Sequence, residues 1–530
     1  MLTRLAPGGV DLSSVPVHAI ALAAYPVLFL FAENAEQQVT LAPLWMPLLI
    51  SLGGGAVLLL IAIGLTRDMG RGGLLASLLL ALFFSFGHVF NLIGDYLAGN
   101  RIVLAGAWIA AALALGYLAW RGGRWVAPLN RFLNVAAILL VAFNAFRVAN
   151  YASESAAAAE AIPTPSGVEV HAPQAKRDIY YIILDRYANL DTLRTLYEFD
   201  NEPFLRELEA RGFSVARDAW ANYFKTALSV YSSLSMEHID PADLNVDVNE
   251  RATVKELHAA LRDHLPVPAA LKALGYSYVH LGNWWEPSAT NVDADVSLRF
   301  AESAEFAGAL WSTTALSLIW PPAELGEDEP GVDADEETLE RRDIARATTL
   351  YAFDRLEESA GRDGPTYVYA HFLVPHPPYV FDPDGSMPSE DEVGSRPERA
   401  NYVRQLRWTN DRVLQAIDRL MAHPPGEPDP IIVLQADEGP WPVAYRRNPR
   451  GFEWLTATPE QVQQKFGILN AVRLPGVDPA ALGFHDRTSP VNNFRIVFNA
   501  YFDAQLPLLP DVTYLSPDIP NLYDFVEYPR

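Results

Sequence analysis

The chain has 530 residues and a formal net charge of −24, and it contains no cysteine. A chain of this length has room for more than one domain. The lack of cysteine excludes disulfide bonds, thiolate zinc sites and cysteine nucleophiles. The acidic balance, without a basic stripe, excludes nucleic acid as a partner.

The first 150 residues differ in composition from the remainder. They hold eight arginines, no lysine and five acidic residues, whereas the rest of the chain carries 32 basic and 59 acidic residues. Each apolar run in this region approaches the ~20 residues that cross a bilayer. We therefore predict a transmembrane domain of five helices over residues 1–150. The runs are Val15–Ala32, Leu41–Leu65, Leu74–Gly94, Ile102–Trp120 and Phe132–Val148.

The basic residues of this domain sort by side of the membrane. Most lie at the N-terminus and in the second and fourth loops. No A-x-A-like cleavage site follows the first run, so it does not read as a signal peptide. The positive-inside rule predicts a cytoplasmic N-terminus, and an odd number of spans places the remainder outside the cytoplasm. We therefore expect a multi-pass inner-membrane protein with a periplasmic domain.

Residues 151–177 are rich in Ala, Ser and Pro and are typical of a linker. From residue 178 to 530, short apolar runs alternate with segments of helical spacing. Alternating strands and helices predict an α/β domain with a mainly parallel central sheet. In such sheets, ligands bind beyond the carboxyl ends of the strands. The predicted strands are 178–184, 276–282, 366–374, 431–436 and 467–475.

Polar residues stand at the ends of these predicted strands. Asp185 follows the first strand, His371 lies in TYVYAHFLV with His376 just after it, and Asp437 and Glu438 end IIVLQA. Taken one at a time, such residues are more often caps or turn residues. Adjacent carboxylates repel each other and lose hydration when buried, so a cation between them or simple exposure would relieve the cost.

Taken together, the motifs DIYYIILDRY, HFLVPHPPYVFDPDG, QADEG and GILNAVRLPG resemble those of the alkaline phosphatase/sulfatase superfamily. Five spans followed by such a domain resemble the branch of lipoteichoic-acid synthases and lipid A phosphoethanolamine transferases. The resemblance implies an α/β/α sandwich that acts on phosphate or sulfate esters. No Cys or Ser stands in the C/S-x-P-x-R arrangement of formylglycine sulfatases, which favours phosphoryl chemistry.

The resemblance implies a metal site with a hydroxyl nucleophile. The metal ligands fall on Asp185, Thr226, Asp437 and Glu438, and the nucleophile falls on Thr226. Glu438 replaces the His of the usual Asp-His-Gly. An oxygen-only ligand set favours one divalent ion of Mn, Mg or Ca over Zn. The alternative is a decayed site with a solvated acidic pair.

The remaining candidates would bind substrate. Lys225, His371 and His376 would face the phosphoryl oxygens, and Asn222 and Trp285 would line the pocket, although core packing is an alternative for the tryptophan. Three nearby serines, Ser229, Ser232 and Ser233, are alternatives to Thr226 as the nucleophile.

The expected function is transfer of a phospho-alcohol head group, of phosphoethanolamine or phosphoglycerol type, from a membrane lipid to an envelope glycan or lipid through a phosphothreonine. Two alternatives remain open. One is a membrane-anchored phosphatase, phosphodiesterase or sulfatase-like hydrolase, and the other is a non-catalytic envelope protein that keeps the fold.

Overall fold

We describe the chain from a computed structural model. The structure describes residues 15–34, 41–93, 101–161, 170–173, 175–244, 255–262, 265–283, 285–300, 305–318, 336–422, 427–448, 451–517 and 521–530. These residues form two compact units. The first comprises the described parts of residues 1–154, 303–326 and 335–340, and the second comprises the rest.

The N-terminal helices are apolar and long. They are α1 (Val17–Glu33), α2 (Ala42–Thr66), α3 (Met69–Ile93), α4 (Arg101–Arg121) and α5 (Val126–Ala161). Helix α1 packs against α2 and α3, and α3 packs against α4. The α1 side chains Ala23, Val27 and Phe31 are fully buried, whereas large apolar side chains such as Leu60 and Leu113 are exposed on α2 and α4. Exposed apolar surface of this extent is what a bilayer would cover.

The prediction of five membrane spans is wrong in its count. Within the described residues, four helices are long and apolar enough to cross a membrane: Pro43–Thr66, Met69–Phe90, Val103–Arg121 and Val126–Ser153. Helix α1 has 17 residues, or about 26 Å at 1.5 Å per residue, which is shorter than a hydrocarbon core of about 30 Å. An odd number of spans was one of the arguments that placed the C-terminal domain outside the cytoplasm. A count of four spans does not support that argument.

The predicted linker begins as helix, because α5 continues to Ala161. Residues 162–169 lie outside the described residues. The helices that follow are α6 (Leu190–Leu196), α7 (Glu202–Ala210), α8 (Thr226–Ser235), α9 (Lys255–Arg262), α10 (Pro266–Ala273), α11 (Glu305–Thr313), α12 (Glu336–Ser359), α13 (Glu390–Ser395), α14 (Glu398–Met421), α15 (Val443–Arg447), α16 (Pro459–Phe466) and α17 (Asn493–Tyr501).

Helix α11 and the 3-10 turn Ala315–Leu318 belong to the first unit, although they follow much of the α/β sequence. They pack against α1, α2 and α3. The ring of Phe306 meets Phe31 edge-on at 5.3 Å. Gly87 of α3 allows a close approach, since a Cβ there would lie 1.9 Å from the carbonyl oxygen of Ser312. We call residues 305–318 the inserted segment.

The second unit is built on a mixed, mostly parallel sheet. Its strands, in spatial order, are β2 (Ser214–Val215), β7 (Asn470–Arg473), β6 (Ile431–Gln435), β1 (Ile179–Leu184), β5 (Thr366–Phe372), β3 (Ser277–Leu281) and β4 (Val296–Leu298). Strand β7 runs antiparallel to both of its neighbours, β2 and β6. A separate antiparallel pair is formed by β8 (Thr513–Leu515) and β9 (Val526–Tyr528).

The central strands are covered on both faces. Every residue of β1, β5 and β6 is buried, which explains why these strands read as continuous apolar and aromatic runs rather than as alternating patterns. Strand β1 lies between β5 and β6 and is parallel to both. The carboxyl ends of the three strands therefore meet at one edge of the sheet, which confirms the α/β prediction and places the candidate site.

Candidate active site

Three predicted residues meet at the carboxyl ends of the central strands. Asp185 follows β1 directly, and its backbone nitrogen donates to the carbonyl of Phe372 over 2.9 Å. His371 is the penultimate residue of β5 and pairs with Ile183 of β1. Asp437 lies two residues beyond β6. The parallel register of three adjacent strands thus brings an imidazole and two carboxylates together.

These three side chains form a group that could hold a metal ion. One ligand atom from each lies within 4.8 Å of the others, and all three residues are buried. Asp185 Oδ1, Asp437 Oδ2 and both ring nitrogens of His371 have no hydrogen-bond partner. Buried polar atoms without partners are costly, and a divalent cation would satisfy them. The residues present therefore fit a metal ion, and we call Asp185, His371 and Asp437 the metal-capable group.

Burial governs the protonation of this group. Burial and, next, the charge of Asp437 raise the pKa of Asp185 well above its usual range. Burial also raises the pKa of Asp437, against the opposing effect of a hydrogen bond from Thr226. Burial lowers the pKa of His371 to about 3, so its imidazole is neutral at pH 7 and offers a lone pair. An imidazole beside two carboxylates removes the premise of an oxygen-only set and opens the choice of metal to zinc.

Thr226 lies at the start of α8, where the sequence predicts a helix to begin. Its side chain interacts with the Asp437 carboxylate and opposes the rise in the pKa of that group. A helix N-terminus presents unpaired backbone N–H groups that favour negative charge. Thr226 therefore lies beside a carboxylate of the metal-capable group, at the start of a helix.

The rival serines are engaged elsewhere. Ser229 donates to the carbonyl of Tyr223 over 3.0 Å, Ser233 donates to the carbonyl of Ser229 over 2.8 Å, and Ser232 donates to the carbonyl of Glu237 over 2.7 Å. All three are buried. Ser233 donates within α8, whereas Ser229 and Ser232 donate to carbonyls just before and just after it, so these three hydroxyls are engaged by backbone rather than by the acidic group.

Glu438 faces a different set of partners from its neighbour Asp437. Its Oε1 lies 2.5 Å from Nζ of Lys465 and 3.3 Å from Nε of Arg186. Lys465 is fully buried and also donates to the carbonyl of Gly439 over 3.3 Å. Burial lowers the pKa of Lys465 to about 7, against the opposing effect of Glu438. The two adjacent acids thus point to two different cation sites, one for an ion and one for a lysine.

Trp441 forms the base of this second site. The Lys465 ammonium lies 3.0 Å from the centre of the indole ring and the Arg186 guanidinium 5.3 Å, both cation–π contacts. Gly439 is required by packing, since a Cβ there would lie 2.2 Å from the carbonyl oxygen of Gln464. The absence of a side chain at Gly439 lets the loop after β6 lie against the end of α16.

The predicted substrate residues Trp285, Lys225 and His376 lie in different surroundings. Trp285 lies near the metal-capable group, with its ring edge-on to His371 at 6.3 Å. The Lys225 ammonium lies 5.9 Å from the ring centre of Trp441, and His376 is half-buried, with its Nδ1 on the carbonyl of Pro377.

Asn222 is engaged by the C-terminal segment instead. Its amide nitrogen donates to Ser489 Oγ over 3.1 Å and to the carbonyl of Val512 over 2.8 Å, and its amide oxygen accepts from the backbone of Val491 over 3.2 Å. Both ends of this buried amide are thus occupied by backbone and serine partners, which suits a structural role.

Sequence reasoning missed Lys465, Arg186 and Trp441, and it placed His371 beside the substrate rather than among possible ligands. Arg186 and Trp441 carried a usable signal, because each lies within a few residues of a predicted acidic ligand. Lys465 carried none, since a lysine near the end of an amphipathic helix usually faces solvent.

No family model matches this chain, and no curated protein matches it. Solved structures do match. Lipooligosaccharide phosphoethanolamine transferase A from Neisseria meningitidis, an integral membrane protein, is 10% identical with a TM-score of 0.40, over 92% of this chain and 96% of that chain. The C-terminal periplasmic domain of EcEptC from Escherichia coli, in complex with Zn, is 12% identical with a TM-score of 0.39, over 68% of this chain and 94% of that chain.

A third structure is a protein in the alkaline phosphatase superfamily from Vibrio parahaemolyticus. It is 12% identical with a TM-score of 0.40, over 67% of this chain and 77% of that chain. These three solved structures are thus two phosphoethanolamine transferases or domains of them and a member of the alkaline phosphatase superfamily, at 10% to 12% identity.

Proposed function

We propose that this chain is a membrane-bound, metal-dependent phosphotransferase whose nucleophile is Thr226. It would move a phospho-alcohol head group from a lipid donor to an envelope glycan or lipid, with its catalytic domain in the periplasm. One observation carries the proposal. The Thr226 side chain interacts with Asp437, and Asp437 is one of three buried residues that could hold a metal ion.

The reaction would run in two displacements. The Thr226 oxygen forms a bond to phosphorus while the bond from phosphorus to the lipid alcohol breaks, and the threonine proton ends on the departing alcohol. An acceptor hydroxyl then attacks phosphorus and releases Thr226. A bound divalent ion would supply Lewis-acid activation of the hydroxyl and of the phosphoryl oxygens.

The residues of this chain would position and neutralise the phosphoryl group. Asp437 holds the Thr226 hydroxyl, Asp185 and His371 complete the metal-capable group, and the first turn of α8 directs backbone N–H groups toward developing negative charge. Lys225, which precedes Thr226 at the start of α8, and Arg186 supply positive charge near the indole of Trp441. Positioning and charge neutralisation of this kind account for most of the catalysis of phosphoryl transfer.

The test uses the full-length protein in detergent with a head-group-labelled lipid. Thr226→Ala should lose turnover by several orders of magnitude, since the covalent route needs the hydroxyl, and Thr226→Ser should retain part of it. Ser229→Ala serves as the matched control within α8. Mass spectrometry of the trapped intermediate should find the labelled phospho-alcohol group on Thr226. The phospho-alcohol group on Ser229, or release of the phospho-alcohol to water without any transfer to an acceptor alcohol, would contradict the proposal.

A further inference from the structure

The loop after β6 presents two carboxylates that lie in two different electrostatic settings. Asp437 belongs to the metal-capable group with Asp185 and His371, and within the described residues Glu438 does not belong to that group. Glu438 instead lies 2.5 Å from Nζ of Lys465. Both partners of this pair are buried, at 1% and 0% side-chain exposure.

The surroundings of Lys465 account for its ammonium group fully. It donates to Glu438 Oε1 and to the carbonyl of Gly439, and the face of Trp441 lies 3.0 Å from Nζ. An ammonium carries three donors, and the two acceptors and the ring face match them. Arg186 adds a second cation to Glu438 at 3.3 Å. Glu438 Oε1 is therefore already paired with two cationic side chains, whereas Oε2 is buried and has no hydrogen-bond partner.

We infer that Lys465 is a positioning residue that takes the place of a cation on the Glu438 side of the site, so that Glu438 is its counter-ion and the site takes a single divalent ion at Asp185, His371 and Asp437. A buried charge is retained when it is paired and hydrogen-bonded, and Glu438 Oε1 meets that condition without an ion.

The charge count of the site agrees with a single ion. In their ionised forms, which a bound cation would favour, the three buried carboxylates of Asp185, Asp437 and Glu438 face two cations, Lys465 and Arg186. One negative charge remains, and one divalent ion changes the sign to a single positive charge. That charge suits an anionic phosphoryl group, whereas a second divalent ion would add two more positive charges in a buried space.

The test measures Mn²⁺ binding by the metal-free full-length protein, with no activity assay. We expect one Mn²⁺ per chain for the wild type and for Glu438→Gln, and loss of this ion in Asp437→Asn, the matched change at the adjacent position. A Glu438→Gln protein that loses Mn²⁺ as fully as Asp437→Asn would overturn the inference, because Glu438 would then be a ligand. Binding of two Mn²⁺ ions by the wild type would also overturn it.

A second measurement tests the pair itself. Lys465→Met should lower the melting temperature, and the double change Lys465→Met with Glu438→Gln should recover much of that loss, since neither charge is then left alone. If Lys465→Met does not fold, the double variant still tests the pairing of Lys465 with Glu438, because it should fold and bind one Mn²⁺. Equal melting temperatures for Lys465→Met and the double variant would contradict the assignment of Glu438 as the counter-ion of Lys465. These readouts do not depend on turnover, so they separate this inference from the proposed phosphotransferase function.

Discussion

Ile183 of β1 pairs in parallel register with His371 of β5, which sets the imidazole beside the end of the central strand where Asp185 follows. This register makes His371 a member of the metal-capable group. We therefore predict that His371→Ala lowers the affinity of the full-length protein for a divalent ion, because the neutral imidazole nitrogen is lost.

Isothermal titration with Zn²⁺ and Mn²⁺ measures that change. The loss should be about tenfold or more, in line with ligand and supporting-residue changes at other metal sites. His376→Ala is the matched control and should keep the ion, since His376 is not in the group. An unchanged affinity in His371→Ala would remove His371 from the ligand set.

Gly439→Ala should destabilise the second unit. The added methyl would lie 2.2 Å from the carbonyl oxygen of Gln464 and 2.9 Å from that of Lys465, so the loop must move away from the end of α16. Overpacking of this kind costs about 1–3 kcal/mol. Chemical denaturation measures it, and Gly394→Ala, where a Cβ meets nothing within 4 Å, should show no such loss.

Gly87→Ala should weaken the packing of the inserted segment on α3. Alanine normally stabilises a helix relative to glycine by about 1 kcal/mol. Here the Cβ at position 87 would lie 1.9 Å from the carbonyl oxygen of Ser312, so we expect the substitution to lower stability instead. We expect a lower melting temperature in detergent and faster proteolysis within residues 305–318. Gly106→Ala in α4, where nothing lies within 4 Å, should stabilise or leave the protein unchanged. Equal behaviour of the two variants would refute the close contact.

The ion pairs of Asp382 should make the stability of the protein depend on pH. Arg404 donates to Asp382 over 2.6 Å and Arg396 over 3.2 Å, and the hydrogen bond from Arg404 holds the pKa of Asp382 below its usual range. A carboxyl with a depressed folded-state pKa stabilises the protein above its unfolded pKa of about 3.9, and that contribution disappears as the pH falls through the folded-state value.

Asp382→Asn should therefore lower the free energy of unfolding at pH 7 by about 1.5–3 kcal/mol, the range for hydrogen bonds to charged groups. The difference from wild type should shrink once the pH falls below 3.9. The exposed Asp411, changed to Asn, is the control. A difference that is the same at pH 7 and pH 3 would show that Asp382 is not held by charge.

The strand-end logic predicted the position of the site because it depends only on local pattern. Asp185 and Asp437 each follow a continuous apolar run, and parallel strands align their carboxyl ends. Thr226 could be predicted from the sequence because it begins a helical pattern. The pair of Lys465 and Glu438 could not be predicted, because its burial depends on how α16 meets the loop after β6, and that tertiary contact has no local signature in the sequence. The predicted run Val15–Ala32 is within one residue of the length of α1 (17 residues), and the error was to count an apolar run of that length as a membrane span.

The inserted segment has a practical consequence for making a soluble fragment. A protein that begins at residue 178 would keep residues 305–318 but lose α1, α2 and α3, against which they pack. Phe306 and Leu310, at 2% and 8% exposure in the intact chain, would face water. Such a fragment should bind detergent or self-associate, and replacing residues 303–326 with a short Gly/Ser bridge should restore monodispersity.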